Sequence, residues 1–69
     1  MRYFDYESVA REAGISPEKL RELEAILRQE FPHDEMMFEL HVLRACRAVR
    51  DGRVTLKQLL DSRPEASKA

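Results

Sequence analysis

Apolar residues recur along this chain at intervals of three and four, which is the spacing of one face of an α-helix. The clearest series comprises Leu20, Leu23, Leu27 and Phe31. Before it, Ser16 is a natural N-cap and Pro17 suits the first helical position. Ile15 and Leu20 stand where a hydrophobic staple fixes the entry of a helix. Because a residue before proline is disfavoured in the helical region, the sequence predicts a helix from Pro17 to Phe31.

A shorter helix is predicted before this one. It starts at Asp5 or Glu7 and ends at Ala13, and its apolar stripe comprises Val9, Ala10 and Ala13. Gly14 ends the helix, because glycine takes the left-handed conformation at no steric cost.

The third helix runs from about Asp34, its cap, to Asp51, with Gly52 as the terminator. One face comprises Phe38, Val42, Ala45 and Val49, and the opposite face comprises Met36, Leu40 and Leu43. A helix that is apolar nearly all round is either central or in contact with a second chain. Met36, Leu40 and Leu43 are therefore a candidate dimer or partner surface. The alternative is a core covered by the last helix and by the aromatic residues Tyr3, Phe4 and Tyr6.

The last helix is short. Thr55 caps it, and Gln58 completes a capping box. The residues that point inward are Leu56, Leu59 and Leu60. Residues 1–61 are thus expected to form a single helical domain, followed by a disordered tail over 62–69. The predicted fold is all-α, a compact bundle of about four short helices that opens with a helix-turn-helix.

Composition and charge narrow the class of protein. The chain has 69 residues, a net charge of −1 and one cysteine, Cys46, so no disulfide can form within it. Cys46 is expected to be a small buried core residue. The start of the chain does not resemble a signal peptide, and no apolar run approaches about 18 residues, so a soluble, cytoplasmic protein without a membrane partner is expected. Residues 1–40 hold five basic and ten acidic side chains, whereas residues 41–69 hold seven basic and three acidic ones. Such a split is typical of a polar interface, of self-association or of one basic face.

A family resemblance rests on the two first helices. Ala10, Gly14, Ile15, Leu20 and Leu23 satisfy the small, glycine and apolar positions of a helix-turn-helix. The run from Val9 through Gly14-Ile15-Ser16 to Leu20-Arg21 and Glu24 resembles the opening of MerR-type DNA-binding domains. Over residues 40–60, Leu43-Arg44 and Gly52-Arg53-Val54-Thr55-Leu56 resemble the closing helices of that family. The chain departs from the family because only residues 29–34 separate the second and third helices, which is too short for the basic wing.

The resemblance implies a small DNA-binding transcription regulator, a MerR-like domain without a wing. Because one copy would bind DNA weakly, useful affinity would require a homodimer through the third helix. The candidate nucleic-acid contacts are Arg11, Ser16, Glu18, Arg21, Glu22 and Arg28. Arg21 and Arg28 would contact phosphates, and Glu18 or Glu22 would lie near base edges. A basic stripe for phosphate or for an acidic partner comprises Arg44, Arg47, Arg50 and Arg53; the alternative is a solvated face. The alternative function is a protein–protein interaction module, of adaptor or chaperone-modulator type, that uses the same fold without DNA.

Other chemistry is not indicated. No nucleophile stands beside a base and no phosphate-binding loop is present, so neither an enzyme nor a cofactor nor a small-molecule substrate is expected. Five acidic and histidine residues are close enough in sequence to be considered as metal ligands: His33, Asp34, Glu35, Glu39 and His41. Their spacing provides no matching ligand pair, so no metal is expected and capping plus solvated charge is the preferred interpretation.

Overall fold

The computed structural model describes residues 3–61, which form four helices. They are α1 (Tyr6–Glu12), α2 (Pro17–Glu30), α3 (Glu35–Arg50) and α4 (Leu56–Asp61). The predicted all-α fold is confirmed, and no strand occurs within residues 3–61. The predicted disordered tail, residues 62–69, lies outside the described residues.

Each helix begins where the local sequence predicts. In α1, α2 and α3 the caps are Asp5, Ser16 and Asp34, and each side chain accepts a hydrogen bond from the backbone N–H three residues later, at 3.2 to 3.3 Å. In α4 the capping box is complete. The backbone N–H of Thr55 donates to Oε1 of Gln58 at 2.9 Å, and the N–H of Gln58 donates to Oγ1 of Thr55 at 3.1 Å. These bonds satisfy N–H groups that a helix start otherwise leaves without a partner.

The two glycines end α1 and α3 in the same way. Gly14 has φ +78° and Gly52 has φ +79°, both in the left-handed region. After α1, the N–H of Ile15 donates to the carbonyl of Ala10 at 2.9 Å and that of Gly14 donates to Arg11 at 3.1 Å, which together form a Schellman motif. The equivalent bonds after Gly52 measure 2.9 and 3.1 Å. Both turns are therefore short and closed by backbone hydrogen bonds.

The central helix is α3. It packs most extensively against α1 and next against α2, while α4 packs on α2. The buried core comprises Tyr6, Ala10, Ile15, Leu20, Leu23, Phe38, Val42 and Cys46. Val42 and Cys46 are fully buried, so the centre of the core lies on α3. The two helices of the predicted helix-turn-helix are thus held by their turn and by shared packing on α3.

The edges of the core are less complete. Leu56, Leu59 and Leu60 of α4 are only partly buried against the core, in the inward orientation that was predicted. Ile26 is buried on α2, although the predicted apolar series omitted it. No helix in the described part of the chain is both long and apolar enough to cross a membrane.

Candidate functional site

A cavity opens at the junction of α1 and α2, and we call it the elbow groove. Its volume is about 390 Å³. Its lining residues are Glu7, Ala10, Arg11, Ile15, Pro17, Leu20, Arg21 and Glu24. Ala10, Ile15 and Leu20 are buried core residues, so they form an apolar floor between charged walls.

Two arginines stand on opposite walls of the elbow groove. Arg11 comes from α1 and donates through Nη2 to Oγ of Ser8 at 3.3 Å, and Arg21 comes from α2. Neither arginine forms an ion pair with any residue between 3 and 61. Glu24, on the α2 wall, accepts a hydrogen bond from the hydroxyl of Tyr6 at 2.5 Å. The groove therefore combines an apolar floor with walls that carry two guanidinium groups and the two carboxylates of Glu7 and Glu24.

A second cavity of about 460 Å³ adjoins the elbow groove and shares Arg21 and Glu24 with it. Here Arg28 is already engaged. Its guanidinium carbon lies 3.7 Å from the centroid of the Phe38 ring, and Nη1 lies 3.0 Å from Oε1 of Glu35. The hydrogen bond from Arg28 lowers the pKa of Glu35, and the same bond raises the pKa of Arg28. Arg28, predicted to contact phosphate, thus ties α2 to α3.

Glu39 is the one buried charged residue in the described part of the chain. Its Oε1 accepts hydrogen bonds from the backbone N–H groups of Tyr3 at 2.6 Å and Phe4 at 2.9 Å. This carboxylate fastens the segment before α1 to α3. The expectation from the sequence that Glu39 is a solvated charge is wrong, because its side chain is buried and its carboxylate is bonded to backbone N–H groups. Its position next to Phe38, on the buried side of the helix, is the sequence signal that could have indicated its burial.

The remaining predicted contacts on α2 are exposed and partly acidic. The side chain of Ser16 caps the helix and accepts from the N–H of Lys19 at 3.2 Å. Glu18 and Glu22 are exposed, and Glu22 lies 3.6 Å from Nζ of Lys19. The face that would enter a DNA groove therefore presents two carboxylates and one arginine, Arg21, that has no ion pair among residues 3–61.

The arginines of the predicted basic stripe on and after α3 differ in their partners, because some form ion pairs and others do not. Nη1 of Arg50 lies 3.1 Å from Oε1 of Glu12, and Nε of Arg50 lies 3.2 Å from Oδ1 of Asp51. These bonds raise the pKa of Arg50, with the Glu12 hydrogen bond the largest cause. Arg53 lies 3.9 Å from Asp51. Arg44 and Arg47 are exposed and lack ion pairs within residues 3–61.

The predicted apolar partner surface on α3 is divided as well. Met36 is 50% exposed, Leu40 is half-buried, and Leu43 packs against the core. Of the aromatic residues expected to cover this region, Tyr6 is buried and Tyr3 is 51% exposed. The exposed apolar part of α3 is therefore smaller than the sequence suggested.

The residues considered for metal binding have other contacts. Asp34 caps α3, and Nδ1 of His41 lies 2.8 Å from the carbonyl of Met37. The His41 ring also packs against Phe31, with centroids 4.5 Å apart. Among the described residues, no three His, Cys, Asp or Glu side chains are grouped so as to hold a metal ion.

The Cys46 thiol is buried, as the sequence predicted. Burial is the main cause that raises its pKa to about 11, with a smaller contribution from the charge of Glu24. A thiol with so high a pKa is a poor nucleophile at neutral pH.

Comparisons with known proteins found no match: no family model, no curated protein and no solved structure is similar to this chain.

Proposed function

We propose that this chain is a protein–protein interaction module of the adaptor or modulator type, with a helix-turn-helix scaffold that is not used to read DNA. The observation that supports this proposal most directly is the charge of the outward face of α2. Glu18 and Glu22 are exposed there, whereas Arg28 forms an ion pair with Glu35. A helix with this face would bring carboxylates to a phosphate backbone.

The energetics of DNA binding explain why this face matters. Affinity for DNA comes mainly from lysine and arginine side chains that neutralise phosphates and release counterions. Arg28 and Arg50 already neutralise carboxylates within the chain, so contact with phosphate would require those pairs to break. A protein partner makes no such demand, because mixed charge and apolar area suit a protein interface.

DNA binding, by a MerR-like domain without a wing, is the second candidate function. It is favoured by one observation, that Arg11, Arg21, Arg44 and Arg47 have no ion pairs in the described part of the chain. Useful affinity would require a homodimer, for which α3 supplies the exposed Met36 and the half-buried Leu40. Sedimentation at high protein concentration tests this requirement.

A salt titration separates the two functions. The full chain is mixed with a fluorescently labelled DNA duplex of mixed sequence, and anisotropy is measured from about 50 to 200 mM salt. The interaction module predicts no saturable binding at the lowest salt. Saturable binding that weakens steeply as salt increases would contradict the proposal and establish the second candidate.

A matched variant tests the reason as well as the result. Replacing the two exposed acids, Glu18→Lys with Glu22→Lys, should produce salt-sensitive DNA binding on an otherwise unchanged fold. The control is the same change at Glu30, an exposed acid at the end of α2. If the double variant binds DNA no better than the Glu30 variant, the acidic face is not what excludes DNA.

A further inference from the structure

We propose that the partner docks on one face of α3, which we call the outer face, and that the docking segment is an amphipathic acidic helix. The outer face comprises Met36, Met37, Leu40, Arg44 and Arg47. The partner helix would place apolar residues on the methionine end of this face and carboxylates on the arginine end. This inference rests on the interaction function proposed above, and it specifies the surface used and the chemistry of the segment bound.

The first half of the outer face is apolar and lies outside the core. Met36 is 50% exposed, and Met37 and Leu40 are half-buried. Among the described residues, none of the three belongs to the core cluster or to the partly buried residues that pack against it. Methionine side chains are flexible and polarisable, so they adapt to the shape of an apolar group. This half of the face therefore favours an apolar contact, from which a phosphate group would gain nothing.

The second half of the outer face is basic. Arg44 and Arg47 are exposed and have no ion pair within residues 3–61. They stand about one and two helical turns beyond Leu40, on the same side of the helix. The outer face thus extends over about three turns of α3, from an apolar end to a positively charged end.

No carboxylate of α3 offsets this positive charge. The acidic residues of the helix are Glu35 and Glu39, and Glu39 is 4% exposed on the buried side. Glu35 lies 3.0 Å from Nη1 of Arg28, and Asp51, just after the helix, lies 3.2 Å from Nε of Arg50. The outer face therefore has a net positive charge, and a partner with carboxylates is electrostatically complementary to it.

A second copy of this chain is a poorer match than a different chain. Docked through the same face, it would bring two more arginines and no carboxylate. Its exposed acids Glu18 and Glu22 lie on α2, whereas the exposed large apolar residues of the described chain are Tyr3 and Met36, neither of which is on that helix. No helix face of this chain thus combines the two kinds of residue that the outer face requires.

Selection from a random peptide library identifies what the outer face binds. The full chain is immobilised, and displayed peptides of about 14 residues, which form four helical turns, are enriched on it. The enriched peptides are synthesised and their affinities are measured by fluorescence anisotropy. They should carry apolar residues one helical turn apart, with Asp or Glu one or two turns away. In protein labelled at its methionine methyl groups, the signals of Met36 and Met37 should shift when such a peptide is added.

Reversing the charge of the arginines tests their role. Arg44→Gln and Arg47→Gln should each weaken binding of a selected peptide about threefold, as expected for an exposed ion pair. The double variant Arg44→Glu with Arg47→Glu should lose the acidic peptide and bind a version that has Lys in place of each Asp or Glu. The control is Lys57→Gln, which removes an exposed cation from α4 and should leave the affinity unchanged. Circular dichroism confirms that each variant remains folded.

The outcomes distinguish the docking surface from the function. If the selected peptides lack acidic residues, or bind the double variant as tightly as the wild type, the outer face is not the site and the interaction function stands. If no peptide is enriched, the docking proposal fails, and the interaction function is decided by the DNA titration alone.

Two other occupants of the face have their own readouts. If labelled duplex binds saturably and the double variant abolishes that binding, the outer face serves nucleic acid and both proposals fail. If the chain alone forms a dimer in sedimentation that Met36→Gln removes, the occupant is a second copy and the docking proposal is overturned.

Discussion

Replacing Glu39 with alanine should detach the segment before α1 and destabilise the protein. Glu39 is 4% exposed and accepts two hydrogen bonds, from Tyr3 and Phe4. A hydrogen bond to a charged group contributes about 1.5–3 kcal/mol. Because Tyr3 is half exposed, water can replace part of what is lost, so the expected loss is about 1–3 kcal/mol for the two bonds together. This is a large share of the stability of so small a domain.

The assay is urea unfolding followed by circular dichroism, with amide hydrogen exchange at Tyr3 and Phe4. The matched variant is Glu39→Gln, which keeps an oxygen acceptor in the same place and should lose much less stability than Glu39→Ala. Exchange at the two amides should become fast in the alanine variant alone. The reasoning is refuted if Glu39→Ala unfolds at the same urea concentration as the wild type, or if both variants lose equal stability.

Three further predictions concern the turns, the core and pH. Gly14→Ala and Gly52→Ala should each cost about 1–2 kcal/mol in urea unfolding, because a Cβ would contact nothing within 4 Å and only the left-handed backbone is strained; unequal costs would point to an unseen contact. Val42→Ala should cost about 1–3 kcal/mol in thermal unfolding, because the side chain is fully buried; a neutral result would mean that the core collapses onto the gap. Since Arg28 lowers the pKa of Glu35, this pair should stabilise the protein above pH 4.5 and lose that effect as pH falls through the lowered pKa. The stability difference between the wild type and Glu35→Gln should therefore shrink towards low pH, and a constant difference would contradict the assignment.

The helix boundaries were predictable because the interactions that set them act within a few residues. A cap such as Ser16 bonds to the N–H three residues away, and Gly14 needs only its own backbone freedom to end α1. The capping box of α4 is likewise contained within Thr55 and Gln58. Local chemistry of this kind is read directly from the order of residues.

The partners of individual charged side chains could not be predicted in the same way. The pairing of Arg50 with Glu12 and the hydrogen bond from Tyr3 to Glu39 join residues that are 38 and 36 positions apart. Such contacts exist only after α1 has packed on α3, so no local sequence pattern predicts them. This is why the basic stripe and the α2 contacts, predicted as single surfaces, are divided in the structure between paired and unpaired arginines.

The position of Cys46 allows opening of the protein to be followed by chemical labelling of its own thiol. It is the only cysteine in the sequence, it has no exposed surface, and burial raises the pKa of its thiol to about 11. A thiol reagent can reach it only when the centre of the core opens, and the freed thiol then reacts at its ordinary rate. The rate of labelling under native conditions thus reports how often the core around Cys46 opens. A bound partner that stabilises the folded state would slow that rate in proportion to its occupancy.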